Sequence, residues 1–212
     1  MRAWSLVVVC GLIGTASAQP GARVPSSSPE LEARDKTFMD QMRKGDTAGE
    51  RITAEKALDV QRKLSGDDSI WTWRREQNLL GVLQSLDFRA ALALEKTMLA
   101  KAERLHGKES TEVRDMLGSL CGTLEMLRDH DAADAAYQRL IALTKKIHGE
   151  KSGLYAFDLL RYATFLGSRS EYVMAARLQE QAIAILTAGG QDAGGQLTSL
   201  ALSYMQFDQA KA

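Results

Sequence analysis

The strongest constraint on this chain is that it repeats itself every 42 residues. Asp87-Phe88-Arg89-Ala90-Ala91 returns 42 positions later as Asp129-His130-Asp131-Ala132-Ala133, and after another 42 as Glu171-Tyr172-Val173-Met174-Ala175. Each copy opens a helix-length stretch that closes on glycine. Leu105-His106-Gly107-Lys108 answers to Ile147-His148-Gly149-Glu150, and a weaker copy runs from Asp46 to Leu64-Ser65-Gly66-Asp67. Between these stretches lies a second kind of segment. Leu117, Leu120, Cys121 and Leu124 match Leu159, Tyr162, Ala163 and Leu166, and the pattern returns as Leu197, Leu200, Ala201 and Tyr204. Spacings of three and four put these side chains on one face of a helix. The small residues Cys121, Ala163 and Ala201, with Ala133 and Ala175 on the partner segment, let two helices approach closely at their crossing. One such pair cannot bury its apolar face alone, so pairs must stack into a solenoid with a groove.

The spacing predicts helices over 30–43 and 46–64, 68–85 and 88–106, 110–127 and 130–148, 152–167 and 170–187, and a last one over 193–209. Pro29 suits a first helical position, with Ser28 before it as the N-cap. Beyond Pro29 there is no further proline, so nothing in the sequence obliges a helix to break. The glycine-rich run Gly189–Gly195 separates the last helix, whose polar Gln206, Asp208, Gln209 and Lys211 are expected to cap the open end in water. The fold class expected is all-α: a right-handed superhelical solenoid of about four antiparallel helix pairs with a C-terminal capping helix.

The N-terminus sets an expectation about compartment. Met1-Arg2 supplies a positive start, Ala3 to Thr15 is almost wholly apolar, and Ala16-Ser17-Ala18 places small residues where a signal peptidase accepts them. The apolar run is shorter than the ~20 residues a membrane span needs. Residues 1–18 are therefore expected to be a signal peptide cleaved after Ala18, with 19–29, rich in proline and serine, as a flexible linker to a repeat domain over 30–212. Such a chain is expected in the periplasm or secreted, with no membrane span. Its 27 basic and 27 acidic residues leave no basic footprint for nucleic acid. After cleavage only Cys121 remains of the two cysteines, so no internal disulfide forms and the packed core carries the stability.

Catalytic signatures are missing. There is no H-E-x-x-H, no Cys–His cluster with zinc spacing and no G-x-S-x-G elbow, and Gly107-Lys108 is followed by Glu109 rather than the Ser or Thr of a phosphate loop. No cofactor motif occurs. His106 and His148 occupy equivalent points of successive repeats, so one structural role accounts for both. Asp129-His130-Asp131 with Asp134 is rich in metal-ligand types, but it falls at a helix entry, where acidic residues cap amides and favour the helix dipole. Cys121 fills the small-residue slot of its helix and reads as a buried thiol. Trp71 and Trp73, two apart at a helix start, point to different sides: one packs against the first pair, and the other is open to a partner.

The pattern Leu-x-x-Leu-Ala/Cys-x-x-Leu/Tyr followed by aromatic-x-x-Ala resembles the tetratricopeptide repeat (TPR). The longer period and the Gly-Lys or Gly-Glu turn resemble its kinesin-light-chain subclass. The resemblance covers about residues 46–204 and is closest from 87 to 186. It implies a superhelix whose first helices line a concave face that binds protein or peptide, and it implies no reaction. That subclass often carries paired asparagines on the first helix; here the pairs are Gln77-Asn78, Gly118-Ser119, Leu160-Arg161 and Thr198-Ser199, and Asn78 is the only asparagine in the chain.

By analogy with the family's groove positions, the candidate ligand-binding residues are Arg74, Gln77, Asn78 and Gly81 in one repeat. Asp115, Ser119, Gly122 and Glu125 follow in the next, then Phe157, Arg161 and Thr164. Arg74 and Arg161 are the candidates for an acidic or carboxylate-bearing ligand. Gly81, Gly118 and Gly122 lie inside predicted helices at ~1 kcal/mol each. Either a closely approaching ligand or close helix packing accounts for them.

The functional expectation is an exported, non-catalytic scaffold for a protein or peptide partner held in the groove. Two alternatives stand beside it. One is a subunit of a larger exported assembly that associates through its convex face or its ends; the other is a metal-dependent module centred on His130.

Overall fold

The computed structural model describes residues 26–190 and 194–209. The expected signal peptide and most of the linker lie outside the described residues, as does Lys211. Among the described residues there are helices and turns and no strand. The helices are α1 (Pro29–Lys44), α2 (Thr47–Ser65), α3 (Ile70–Leu86), α4 (Phe88–His106) and α5 (Thr111–Met126). They continue with α6 (His130–His148), α7 (Gly153–Ser168), α8 (Tyr172–Ala188) and α9 (Gly194–Gln209). Each packs on its neighbours in sequence, giving a solenoid of antiparallel pairs α1/α2, α3/α4, α5/α6 and α7/α8, with α9 against α8. None is long and apolar enough to cross a membrane.

A two-letter capping code starts the helices. The first helix of every pair begins after a serine: Ser28, Ser69, Ser110 and Ser152 accept from the amides of Leu31, Thr72, Val113 and Tyr155 at 3.1–3.3 Å. The second helices α2, α4 and α6 begin after Asp46, Asp87 and Asp129, whose carboxylates accept from Gly49, from Arg89 and Ala90, and from Ala132. In α8 the aspartate becomes Glu171, and the side-chain cap is lost. Glycine ends α2, α4 and α6. Gly66, Gly107 and Gly149 sit at φ +80°, +87° and +84°, a region L side chains rarely adopt, and each donates its amide to the carbonyl four residues back.

Repeat positions that match in sequence match in burial. Leu117, Leu120, Cys121 and Leu124 of α5, and Leu159, Tyr162, Ala163 and Leu166 of α7, are all buried. Ala91, Ala133 and Ala175 are 0% exposed on the facing helices, which is what permits the close crossing. Burying one leucine of this kind stabilises by ~1.5–3 kcal/mol. The third copy of the pattern behaves differently: Leu197 of α9 is 53% exposed and Ala201 is exposed too. In α5 and α7 these positions are covered by the second helix of the pair, and α9 has no such helix after it among the described residues. The capping role expected of Gln206, Asp208 and Gln209 falls on side chains outside the described ones.

Candidate functional site

The first helices lie side by side and form one face. Across α3 and α5, the Gln84 amide donates to Ser119 Oγ at 2.9 Å. Across α5 and α7, Arg161 Nη2 donates to the carbonyl of Gly118 at 2.7 Å. The capping serines set the register, so Arg74, Asp115 and Phe157 are equivalent, as are Asn78, Ser119 and Arg161, and Gly81, Gly122 and Thr164. Arg74, Gln77, Asn78, Gly81, Phe157 and Thr164 are exposed, while Asp115, Ser119, Gly122, Glu125 and Arg161 are half-buried. All eleven candidates therefore lie along α3, α5 and α7 with at least part of each open to solvent.

Their present partners divide them. Arg161 is held by the Gly118 carbonyl, and its guanidinium carbon stands 5.8 Å from the centroid of the Tyr137 ring. Ser119 donates to Glu95 at 2.6 Å, Glu125 accepts from the Tyr137 hydroxyl, and Asp115 pairs with Arg114 at 3.1 Å. The Thr164 hydroxyl donates back to the Leu160 carbonyl within its own helix. Gln77 and Asn78 hold no side-chain hydrogen bond, and Arg74 rests over the Trp71 ring, 5.0 Å from its centroid. Phe157, near the start of α7, is 54% exposed and presents a large apolar surface. Trp73, by contrast, packs against the core.

The helical glycines separate in the same way. A Cβ on Gly118 would stand 3.2 Å from Arg161 Nη1, so close packing accounts for that glycine. A Cβ on Gly81 or Gly122 would meet nothing within 4 Å. Those two leave bare backbone on the open face.

Behind the face lie buried polar groups that the repeat pattern alone does not announce. Asp158, 0% exposed in α7, accepts from Arg114 Nη2 at 2.8 Å through both oxygens and from the Thr144 hydroxyl at 2.6 Å, tying α5, α6 and α7 together. Burial works against the charge on Arg114, yet its bonds to the Asp158 carboxylate outweigh that cost and raise its pKa above the ordinary arginine value. Lys101 of α4 sits 2.8 and 2.9 Å from the two oxygens of Glu76 in α3, both side chains nearly sealed. Glu95 of α4 receives Gln84, Ser119 and Thr123 on one oxygen, while its other oxygen is buried without a partner. Burial raises the Glu95 pKa, and these three donors offset only part of the rise. One sequence signal points to such groups: a charged residue where the equivalent repeat position is apolar, as with Asp158 against Met116 or Lys101 against Leu143.

No protein-family model matches the sequence, and no curated protein does. Solved structures do. A Podosopora anserina protein with nearly identical TPR-like repeats, named for kinesin light chains, superposes with a TM-score of 0.68 at 16% identity, covering 87% of this chain and 90% of that one. A form of the same protein with one residue substituted gives 0.69 at 15%, with 90% and 91% covered. BtubC (BKLC) from P. vanneervenii gives 0.65 at 14%, with 87% and 88% covered. The chain has a TPR-like repeat fold.

Within the TPR-like frame, the groups that first looked reactive serve the helices. Cys121 is 0% exposed, and burial pushes its thiol up to about 12. Asp129 caps α6, and Asp134 accepts from the Tyr162 hydroxyl at 2.6 Å and the Gln138 amide at 2.7 Å. His130, beside them, lies 6.1 Å from the Phe165 ring. Among the described residues no three His, Cys, Asp or Glu side chains converge as a metal site would require. His106 and His148 both end their helices, but His106 lies 3.8 Å from Glu112 at the surface whereas Nε2 of His148 is buried without a partner.

Proposed function

We propose that this chain is an exported, non-catalytic scaffold that holds an extended segment of a partner protein against the concave face formed by α3, α5 and α7. The observation that carries the proposal is the division of labour on that face. Buried ionic groups such as Asp158, Arg114, Glu76 and Lys101 bond helix to helix, while Arg74, Gln77 and Asn78 on α3 and Phe157 on α7 remain open. Phe157 on α7 supplies an aromatic anchor, and Arg74, Gln77 and Asn78, two first helices away on α3, supply polar contacts further along the segment. The Podosopora anserina protein it resembles in structure has TPR-like repeats and lends the scaffold reading its general support. Export rests on the N-terminal pattern of residues 1–18.

Cross-linking with mass spectrometry, on a complex captured from an extracytoplasmic extract, tests the face. Links from one reproducible partner to α3, α5 and α7 are expected, and Phe157→Ala and Arg74→Ala should each weaken capture without changing the helical content. Links confined to α4, α6 and α8 would refute groove binding. N-terminal sequencing of the exported chain should begin at Gln19; retention of Met1 in the mature protein would refute the export proposal.

A further inference from the structure

The face formed by α3, α5 and α7 carries one row on which each helix offers surface groups of a different kind. The capping serines put Trp71 and Arg74 of α3, Glu112 and Asp115 of α5, and Leu154 and Phe157 of α7 at matching positions. Within each helix the two residues are three apart, so their side chains are neighbours on one side. Other registers of the face offer less. Ser119 and Arg161 are already bonded to Glu95 and to the Gly118 carbonyl, and Thr164 bonds back into its own helix.

The three pairs differ in chemistry. On α3, exposed Arg74 stands 5.0 Å from the centroid of the Trp71 ring, and among the described residues no carboxylate pairs with it. On α5, carboxylates outnumber cations. Arg114 reaches both oxygens of buried Asp158 at 2.8 Å and Asp115 at 3.1 Å, so one guanidinium serves two carboxylates. Glu112 has only His106, 3.8 Å away, which is an ionic partner only when protonated. Negative charge is therefore left over at that point of the row. On α7, Leu154 is 43% exposed and Phe157 54%, which makes the third position apolar. The row stops at α1, where the matching pair is Glu30 and Ala33 and Glu30 is already taken by Arg34.

The distance between pairs sets the form of a ligand that touches all three. Packed helices lie about 8–10 Å apart, so the row has steps of about 10 Å. A polyproline-II segment rises about 3.1 Å per residue with three residues per turn, so every third side chain points the same way at about 9 Å intervals. A β-strand fits poorly, because its side chains return to one face every second residue, at about 7 Å.

We infer that this row binds a polyproline-II segment of a partner protein that carries an acidic, a basic and a large apolar side chain at every third position. Arg74 grips the carboxylate, Glu112 and Asp115 hold the cation between them, and the apolar side chain covers Leu154 and Phe157. The inference rests on the groove-binding reading and adds the chemistry and spacing of its ligand.

Fluorescein-labelled, end-capped heptapeptides test it on the full chain by anisotropy. They carry glutamate, lysine and leucine at the first, fourth and seventh positions with proline between, in both chain orders. One order should bind about tenfold tighter than a peptide with the same residues and the glutamate and lysine exchanged. Arg74→Glu should weaken that peptide about fivefold, and strengthen by as much a peptide with lysine in place of the glutamate. Glu112→Lys should do the converse at the central position, and Phe157→Ala should weaken binding about tenfold. Should a variant fail to fold, the same exchanges made in the peptide give the comparison on the parent chain. No binding of either order, equal binding of the exchanged peptide, or charge reversals that shift every peptide alike would overturn the inference. So would tighter binding of a peptide with its anchors at every second position. A natural partner cross-linked to α3, α5 and α7 through a segment without this spacing would also overturn it, and would leave the groove-binding reading standing.

Discussion

Replacing Asp158 by alanine removes the acceptor that joins three helices beneath the binding face, and the structure sets the size of the loss. The carboxylate is fully buried, and it receives Arg114 Nη2 at 2.8 Å and the Thr144 hydroxyl at 2.6 Å. Alanine strands both donors. Thr144 is 0% exposed, and the Arg114 side chain is only 14% exposed, so water reaches neither freely. Breaking one partner of a buried ion pair costs about 3–5 kcal/mol. Asp115 remains beside Arg114 at 3.1 Å and compensates in part, which places the expected loss at the lower end, about 3 kcal/mol. With an m-value of about 2 kcal/mol/M, the urea midpoint should fall by roughly 1.5 M. Asp158→Asn keeps one acceptor oxygen and should lose less. The double variant Arg114→Met with Asp158→Leu, which replaces the pair by apolar side chains, should recover most or all of the stability. A loss below about 1 kcal/mol for Asp158→Ala, or a double variant less stable than Asp158→Ala, would refute the assignment of this pair as the cross-link between α5 and α7.

Glu95 supplies a pH dependence of determined sign. Because burial raises its folded pKa above the ordinary 4.5, its stabilising contribution is fully present below that value and is lost as pH rises through the folded one. Glu95→Gln should therefore gain on the parent as pH rises from mildly acidic to neutral in urea melts, and a pH-independent difference would contradict this. Gly122→Ala and Gly81→Ala meet open space, so each should stabilise by about 1 kcal/mol through helix propensity while weakening any ligand that approaches the bare backbone. Thermal melts and partner binding read the two effects separately. The Cys121 thiol, sealed and pushed up to about 12, should react with an aromatic disulfide reagent only at the rate at which α5 and its neighbours open. Rapid labelling of the folded chain would show that the core is looser than described.

Much of the fold was legible because a repeat states its own rules several times. Two copies of the leucine-and-small-residue pattern located α5 and α7, and glycine at 66, 107 and 149 located the ends of α2, α4 and α6 to within one residue. The alternation of serine and aspartate caps was equally open to reading, since Ser28, Ser69, Ser110 and Ser152 stand 41 or 42 residues apart. Burial on α9 was not legible. Leu197 and Ala201 carry the pattern of buried positions, but burial depends on a covering helix that the pattern does not supply. The state of the face was only partly legible. The sequence offered Arg161 as a candidate for a carboxylate-bearing ligand, and could not show that the Gly118 carbonyl one repeat earlier already engages it. Asp158 went unnoticed because a lone aspartate within an apolar stretch has no partner in its own helix, and Arg114 lies 44 residues away.

In a repeat, sameness and difference carry different information. Positions that recur, such as Ala91, Ala133 and Ala175, are fixed by the geometry of helix crossing, and any chain of this fold must satisfy them. Positions that vary at one register are released from that demand, and what occupies them reflects the individual repeat. Ala54, Glu95 and Tyr137, which share one register after the capping aspartates, show this within a single chain. A tyrosine there donates to Glu125 and closes the core with a ring; a glutamate gathers three donors on one oxygen at the expense of a buried acceptor. At Ala54, only 5% exposed, the neighbouring helices close over the small side chain themselves, with Phe38 of α1 packed against the core. What one register holds is therefore read repeat by repeat, from the side chains that the facing helices bring to it.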